Sequence, residues 1–137
     1  MLRWSLLVSC FALVVSLSVP SSASAQSAPE DVIGAQIEAF LADDVSKAFQ
    51  YAAPGIKRIF RTPENFGRMV QQGYPMVWRP AQVQYGPAET RGAAVLQQVY
   101  ITDAAGRVFT LEYTMVPAGE TWQIAGVAIL EAAQVGA

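Results

Sequence analysis

The clearest alternation of apolar and polar residues in the chain runs through RVFTLEYTMV, residues 107–116. The spacing predicts a strand with one apolar face made of Phe109, Leu111, Tyr113 and Met115. The opposite face would then carry Val108, Thr110, Glu112 and Thr114. Because one face is apolar and the other suits water, the strand is expected in an antiparallel sheet that is covered on one side.

Three further segments share this period of two. They are AQVQY, residues 81–85, AAVLQQVYIT, residues 93–102, and TWQIAGVAIL, residues 121–130. The last of them is predicted to place on one side Trp122, Ile124, Ala128 and Leu130. Short turns at DAAG and PAGE join consecutive strands, which indicates an antiparallel meander.

The residues before these strands have a helical period instead. Ser27 and Glu30 have the spacing of a capping box, and apolar residues then recur at helical intervals over residues 29–41. A second helix is predicted in VSKAFQYAA, with its start capped by Asp43 and Asp44. Its inward residues would be Val45, Ala48, Phe49 and Ala52, and Pro54-Gly55 would stop it.

A third helix is predicted to start at Thr62-Pro63, with threonine as the cap and proline in the first turn. Its buried side would carry Phe66, Met69 and Val70, and Gly73 would end it in a left-handed conformation. The preceding IKRIF segment, residues 56–60, is either a short strand or a helical turn.

The segment GYPMVWRP, residues 73–80, connects this helix to the sheet. Pro75 and Pro80 argue against a regular helix or a central strand there. Met76 and Val77 are expected to fill the core between the third helix and the strands. Helices followed by strands predict an α+β domain in which the N-terminal helices pack on one face of the antiparallel sheet.

The first 25 residues are typical of a secretory signal peptide. A single charge at Arg3 precedes the apolar run of residues 6–19, and Ala23-Ser24-Ala25 has the small-x-small pattern that signal peptidase reads. Cys10 follows too little of the apolar run to be a lipidation site. We therefore expect cleavage after Ala25, a periplasmic or secreted protein, and a single domain over residues 26–137.

Composition excludes several chemistries. The chain has no histidine, and its one cysteine lies in the predicted signal peptide, so the mature chain would have neither a thiol nor an imidazole for catalysis or metal binding. We therefore predict no metal and no cofactor. The mature chain would carry eight basic and eleven acidic residues, a net charge of −3. This balance disfavours nucleic acid as a partner.

Two resemblances can be stated on particular segments. IEAFLADDVSKAFQYAAPGI resembles the opening helical pair of the NTF2-like (cystatin-like) superfamily, and DAAGRVFTLEYTMV with WQIAGVAIL resembles its closing strands. The resemblance implies a cone, in which a curved sheet wraps around the helices. IEAFLADD, TPENFGRMV, GYPMVWRP and WQIAGV also resemble a family of small exported bacterial proteins that is known only as a domain of unknown function. Because the superfamily holds both enzymes and binding domains, the fold implies no activity.

Aromatic residues are the main candidates for a binding site. Most of them are needed simply to fill the core, but tyrosine and tryptophan with polar tips suit the rim of an apolar pocket. The candidate ligand-binding residues are Tyr74, Trp78, Arg79, Tyr100 and Trp122. For Arg79, the alternatives are a ligand carboxylate or phosphate, an internal acid such as Glu64 or Glu112, or simple exposure.

No catalytic residue is predicted. Asp43 and Asp44 are better explained as helix caps, and Glu112 falls on the polar face of its strand, where a base would not face the interior of the cone. A basic cluster of Lys57, Arg58, Arg61 and Arg68 suits either an anionic lipid surface or an acidic partner, but such clusters are usually solvated faces.

Three hypotheses of function follow. The first is a non-catalytic exported domain that binds a small apolar ligand in its cone or a protein of the cell envelope. The second is an isomerase or dehydratase without histidine, which would need a buried carboxylate facing a tyrosine across a cavity. The third is a homodimer formed through the exposed face of the sheet. In each, the membrane is met only through the signal peptide before its cleavage.

Overall fold

The computed structural model describes residues 27–132. Within this range the helices are α1 Pro29–Leu41, α2 Val45–Gln50, α3 Pro54–Phe60, α4 Pro63–Gly73 and α5 Pro75–Trp78. The strands are β1 Gln82–Arg91, β2 Ala94–Thr102, β3 Val108–Ala118 and β4 Thr121–Ala132. The predicted signal peptide lies outside the described residues. None of the described helices is long and apolar enough to cross a membrane.

The strands form one curved, unclosed antiparallel sheet in the order β1-β2-β3-β4, with the helices packed against one face. This confirms the predicted α+β class and the meander. In the central strand the predicted apolar face is correct, because Leu111, Tyr113 and Met115 are each 0% exposed. Phe109 lies at the end of the same face and is half-buried.

The core lies between this face and the helices. Its largest fully buried members are Tyr113, Phe40, Ile33, Ile101, Leu111, Met115, Ile124 and Val99. Phe66 contacts three aromatic neighbours, with ring centroids 5.3 Å from Phe49 and 5.9 Å from both Phe40 and Phe60. Met76 and Val77 are buried in the same cluster, as predicted. Burial of these side chains supplies most of the favourable free energy of folding.

The helix caps largely follow the local sequence. The Asp44 carboxylate accepts a hydrogen bond from the Lys47 amide at 3.0 Å, and the Thr62 hydroxyl accepts one from the Asn65 amide at 3.2 Å. Helix α1 differs from the expectation by one residue. Its cap is Ala28, whose amide donates to the Asp31 carboxylate at 3.1 Å, so the Ser27–Glu30 pairing was wrong.

Three short helical features also differ from the prediction. Helix α2 ends at Gln50, before the predicted stop, and Pro54 starts a helix of its own that includes the ambiguous IKRIF segment. Pro75 likewise occupies the first position of a single helical turn, α5. Proline is tolerated there because the first amides of a helix have no acceptor within it. Gly73 is the last residue of α4 and does not have a positive φ, so the left-handed cap was wrong.

Bulges explain where the strand predictions fail. In β4 the pairing passes from Thr114–Gly126 to Met115–Ile124, which leaves Ala125 unpaired. The extra residue reverses the alternation beyond it, so Val127 packs against the core, whereas Ala128 and Leu130 are exposed. The prediction that Ala128 and Leu130 share one side with Trp122 and Ile124 was therefore wrong.

A second bulge lets β1 continue past a proline. Gly86 and Pro87 lie between the pairs Tyr85–Val99 and Ala88–Gln97, so the strand extends well beyond the predicted AQVQY. Proline is acceptable here because β1 is an edge strand and its missing amide interrupts no second ladder. The side-chain amide nitrogen (Nε2) of Gln97 donates to the Gly86 carbonyl at 2.9 Å and so satisfies the bulge from within the sheet.

Candidate functional site

A cavity of about 250 Å³ lies between the helices and the β3–β4 half of the sheet. Its inner wall consists of buried residues of α1, α4, α5 and the two strands, including Phe40, Val70 and Tyr113. Ile56 and Phe60 of α3, together with Met69 of α4, line it but are only half-buried. The cavity therefore reaches the surface on the side of α3, α4 and β4, which we call its mouth.

The backbone at the mouth is shaped by the bulge in β4. Ala125 and Gly126 line the cavity where β4 departs from regular pairing with β3. On the other side of this strand, the Ile124 amide donates to the Tyr51 carbonyl and the Ala53 amide donates to the Ile124 carbonyl, each at 2.8 Å. The link between α2 and α3 is thereby fixed to the edge of the sheet, which holds α3 beside the cavity.

Tyr113 is the unusual polar group of the site. It lines the cavity from the centre of β3 and is 0% exposed, and its hydroxyl has no hydrogen-bond partner among the described residues. Burial raises the pKa of Tyr113 well above its ordinary value, with smaller contributions from Tyr85 and Tyr74. The hydroxyl therefore stays protonated at physiological pH and remains a hydrogen-bond donor.

Two other polar groups face the same space. Gln36, buried at the middle of α1, donates through its amide nitrogen to the Ala48 carbonyl at 3.1 Å, which joins α1 to α2. Its carbonyl oxygen accepts no bond from the described residues and is available as an acceptor. Tyr74 donates to the Val127 carbonyl at 3.0 Å and links the end of α4 to β4 at the mouth. The rest of the lining is apolar apart from backbone atoms.

Among the described residues, no carboxylate, lysine or arginine side chain lines this cavity. They also contain no group of carboxylate, histidine or cysteine side chains that could hold a metal ion. Glu112 lies on the outer face of the sheet beside Leu96 and Gln98, as its strand position predicted. The described part of the cavity wall therefore lacks the carboxylate base that a hydrolytic or isomerising mechanism of this kind would need.

Among the predicted ligand-binding residues, Tyr74 lines the cavity, whereas Trp78 and Arg79 lie together at the end of α1. The Trp78 ring is 5.4 Å from that of Phe40, and the Arg79 guanidinium lies 4.7 Å from the Trp78 ring. Arg79 donates to the carbonyls of Phe40 and Trp78 at 2.8 Å and forms an ion pair with Asp43. The acid that pairs with Arg79 is thus Asp43, whereas the sequence had suggested Glu64 or Glu112.

Tyr100 and Trp122 are also outside the cavity. Tyr100 lies on the outer face of the sheet, where its hydroxyl donates to Gln98 at 3.3 Å and its ring covers Gly86. A Cβ at Gly86 would lie 2.7 Å from that ring, so the glycine and the tyrosine fit only as a pair. Trp122 is half-buried against the core opposite Pro117. The five predicted residues therefore do not converge on one site.

Sequence reasoning missed Gln36 and gave Tyr113 no role beyond the core. Gln36 sits in the apolar stripe of α1 between Ile33 and Phe40, and a polar residue at such a position was the available signal. Tyr113 was correctly placed on the apolar face of its strand. That its hydroxyl lacks a partner depends on neighbours distant in sequence, and no local pattern could show it.

A family model described as a domain of unknown function (DUF4864) matches residues 22–137. This agrees with the resemblance to a family known only by that description. No curated protein and no solved structure matches the chain.

Proposed function

The chain belongs to the DUF4864 family, whose description assigns no activity, and we propose from its cavity that it binds a small, uncharged, mostly apolar molecule bearing one oxygen function. The observation that carries this proposal is the unpartnered hydroxyl of Tyr113, a residue that lines a mostly apolar cavity. A buried donor without an acceptor costs about 1–3 kcal/mol, and a ligand carbonyl or hydroxyl would remove that cost.

The size and charge of the site limit the ligand. A dry cavity of about 150 Å³ accommodates benzene, so about 250 Å³ suits a molecule of roughly ten non-hydrogen atoms. A charged group would be desolvated here without an opposite charge, because the described wall carries none, which favours a neutral ligand. Gln36 supplies an acceptor, so a ligand hydroxyl could both donate to Gln36 and accept from Tyr113.

The wider setting belongs to the same proposal. We assign the fold to the NTF2-like cone on the order of its elements, helices first and then a curved meander, and on the cavity between them.

Export rests on the signal-peptide pattern of residues 1–25. Amino-terminal sequencing of the protein from a cell-envelope fraction tests the location: a mature chain starting near Gln26 is expected, and an intact Met1 in the cytoplasm contradicts export.

A pair of matched probes tests the ligand class. 1-Naphthol and naphthalene share one apolar skeleton of suitable size and differ by a hydroxyl. Wild-type protein should bind 1-naphthol roughly five- to tenfold more tightly than naphthalene, because the gain is one hydrogen bond. Tyr113→Phe should lose most of that preference while still binding naphthalene, because only the Gln36 acceptor then remains for the naphthol hydroxyl.

A cavity-filling variant serves as the control. Val70→Phe adds a ring to the wall of the cavity and should weaken both probes without changing their ratio. Native mass spectrometry of the protein purified from its natural source should show an adduct of low mass. A chain that is free of adducts and binds neither probe in titrations would contradict the proposal.

A further inference from the structure

Helix α3 has two faces with different surroundings. Ile56 and Phe60 point towards the cavity, and none of the residues of α3 is fully buried. On the outside, Ile59 is 72% exposed, more than any other large apolar residue in the described part of the chain. A single exposed apolar residue needs no explanation by itself, but this one is surrounded by an unusual concentration of positive charge.

The charge around Ile59 is unpaired. Lys57, Arg58, Arg61 and Arg68 form no ion pair with any described residue, whereas Arg79, Arg91 and Arg107 each pair with an acid. Glu64 is the one acid between positions 45 and 88. Three of the eight cations in residues 27–132 lie on α3 or directly after it, although the chain as a whole is acidic. Arg68 of α4 donates to Asn65, whose side chain donates to the Phe60 carbonyl at the end of α3.

We propose that the exposed surface of α3, formed by Arg58, Ile59 and Arg61 with Lys57 and Arg68 beside it, docks on anionic phospholipid bilayers. An apolar side chain among arginines is the arrangement that lies at the boundary of headgroups and acyl chains. Each basic residue near an anionic membrane surface adds to its affinity, and the aliphatic stems of lysine and arginine can enter the interface with their charges in the headgroup layer.

The size of the surface favours a bilayer over a protein. A stable protein interface needs roughly 800 Å² on each partner with a buried apolar centre, whereas α3 offers seven residues with one exposed isoleucine. A bilayer requires no complementary shape and adapts to a small convex surface. This departs from the expectation that the membrane is met only through the signal peptide, and the unpaired cations around Ile59 are the reason.

Docking in this orientation would place the mouth of the cavity at the membrane. Ile56 and Phe60 line the cavity on the opposite side of the same helix. Movement of α3 within the headgroup layer would therefore open a path from the acyl chains into the cavity. This consequence rests on the proposed function. The docking itself does not, since it depends on the outer surface of α3 alone.

Vesicle co-sedimentation tests the docking, using purified protein in which the loss of residues 1–25 has been checked by mass. We expect binding to phosphatidylcholine vesicles that contain phosphatidylglycerol, little binding to phosphatidylcholine alone, and release by high salt. Arg58→Gln/Arg61→Gln should lower the partition coefficient by roughly ten- to thirtyfold. Ile59→Asn should lower it several-fold and leave the salt dependence intact.

The matched control is Arg91→Gln/Arg107→Gln, which removes the same charge from the end of β1 and from the turn before β3. It should change the partition coefficient less than twofold, because neither residue is near α3. An equal loss in the control, or no binding of wild-type protein to anionic vesicles, would overturn the proposal; the latter would leave an acidic protein as the partner. Naphthol titration of the same variants reports on the cavity separately, so failure of docking and failure of ligand binding are distinguishable.

Discussion

At the scale of single residues, several groups raise the free energy of the folded state. The Tyr113 hydroxyl is buried without a partner, and Arg61 and Asp43 have positive φ angles of 67° and 56°. For Asp43 the cost is offset locally, because its carboxylate pairs with Arg79, which also bonds the Phe40 carbonyl at the end of α1. Tyr113 and Arg61 have no such compensation among the described residues, and both lie at the cavity or beside it.

The Tyr113→Phe variant tests the cost at the cavity. Without ligand it should be more stable than wild type by about 1–2 kcal/mol, because an unsatisfied buried hydroxyl is removed while the ring remains. The raised pKa of Tyr113 adds a pH dependence: the unfolded chain ionises above about pH 10 and the folded one does not, so wild type loses stability there. The variant should lose less.

Urea denaturation of both proteins at pH 7 and pH 11 measures these effects. Tyr100→Phe is the control, since that hydroxyl has a partner, Gln98, on the outer face of the sheet. A Tyr113→Phe protein that is less stable than wild type at pH 7 would mean that the hydroxyl is satisfied in solution.

Arg61 tests the strain after α3. Its φ and ψ of 67° and −41°, with the Thr62 amide bonded to the Phe60 carbonyl at 2.8 Å, form a tight turn that disfavours a Cβ. Arg61→Gly should therefore stabilise the protein by about 0.5–1 kcal/mol, the relief of strain exceeding the added freedom of the unfolded chain. Arg61→Ala removes the same charge but keeps the Cβ and should give no gain. Equal melting temperatures for the two variants would contradict a strained turn.

At the scale of elements, α2 and α4 approach closely because one of them presents a glycine. Gly67 is buried on α4 against Val45 of α2, and a Cβ there would lie 2.6 Å from a Val45 methyl carbon. Valine has little rotamer freedom in a helix, so the clash cannot be relieved by the side chain alone. The spacing of the two helices is therefore set by this glycine, and with it the position of the α4 residues that line the cavity.

Gly67→Ala should destabilise the protein by about 1–2 kcal/mol, since the overpacking exceeds the gain in helix propensity. Gly73→Ala is the matched control: nothing lies within 4 Å of its Cβ position, so it should be neutral or slightly stabilising. Adding Val45→Ala to Gly67→Ala should recover part of the loss. Thermal unfolding of the four proteins measures this, and a Gly67→Ala variant as stable as Gly73→Ala would refute the close contact.

The elements differ in how well the sequence predicted them. Elements with a long regular period, α1 and β3, were predicted with largely correct faces, because period and burial have the same cause there. The exception is Leu41, which was expected in the apolar stripe of α1 and is 48% exposed at the end of the helix. The short helices α3 and α5 have too few residues for a period to appear. In β4, the bulge at Ala125 reverses the alternation, and the adjacent Gly126 was the available signal, because an isolated glycine within a strand pattern indicates a bulge.

At the scale of the whole molecule, the cavity is a property of packing that no segment contains. Its wall combines residues from five helices or their ends and two strands, so its volume depends on how the layers meet. Aromatic content indicated a pocket but not its members: Tyr74 lines it, whereas Tyr100 lies across the sheet. The layers also differ in how firmly they are held. The core-facing side chains of β3, Leu111, Tyr113 and Met115, are completely buried, whereas α3 borders the cavity on one side and solvent on the other.

Stability should accordingly vary across the molecule in a way that hydrogen exchange can measure. Amides of β2 and β3 should exchange only by global unfolding, because their side chains form the centre of the core. Amides of α3 should exchange much faster, since few buried contacts oppose its opening. Helix α1 is the control, as it also covers the sheet but buries Val32, Ile33, Ile37 and Phe40. If α3 exchanges as slowly as α1, it is a fixed wall. If it exchanges quickly and is slowed by 1-naphthol or by anionic vesicles, it is the element through which the cavity opens.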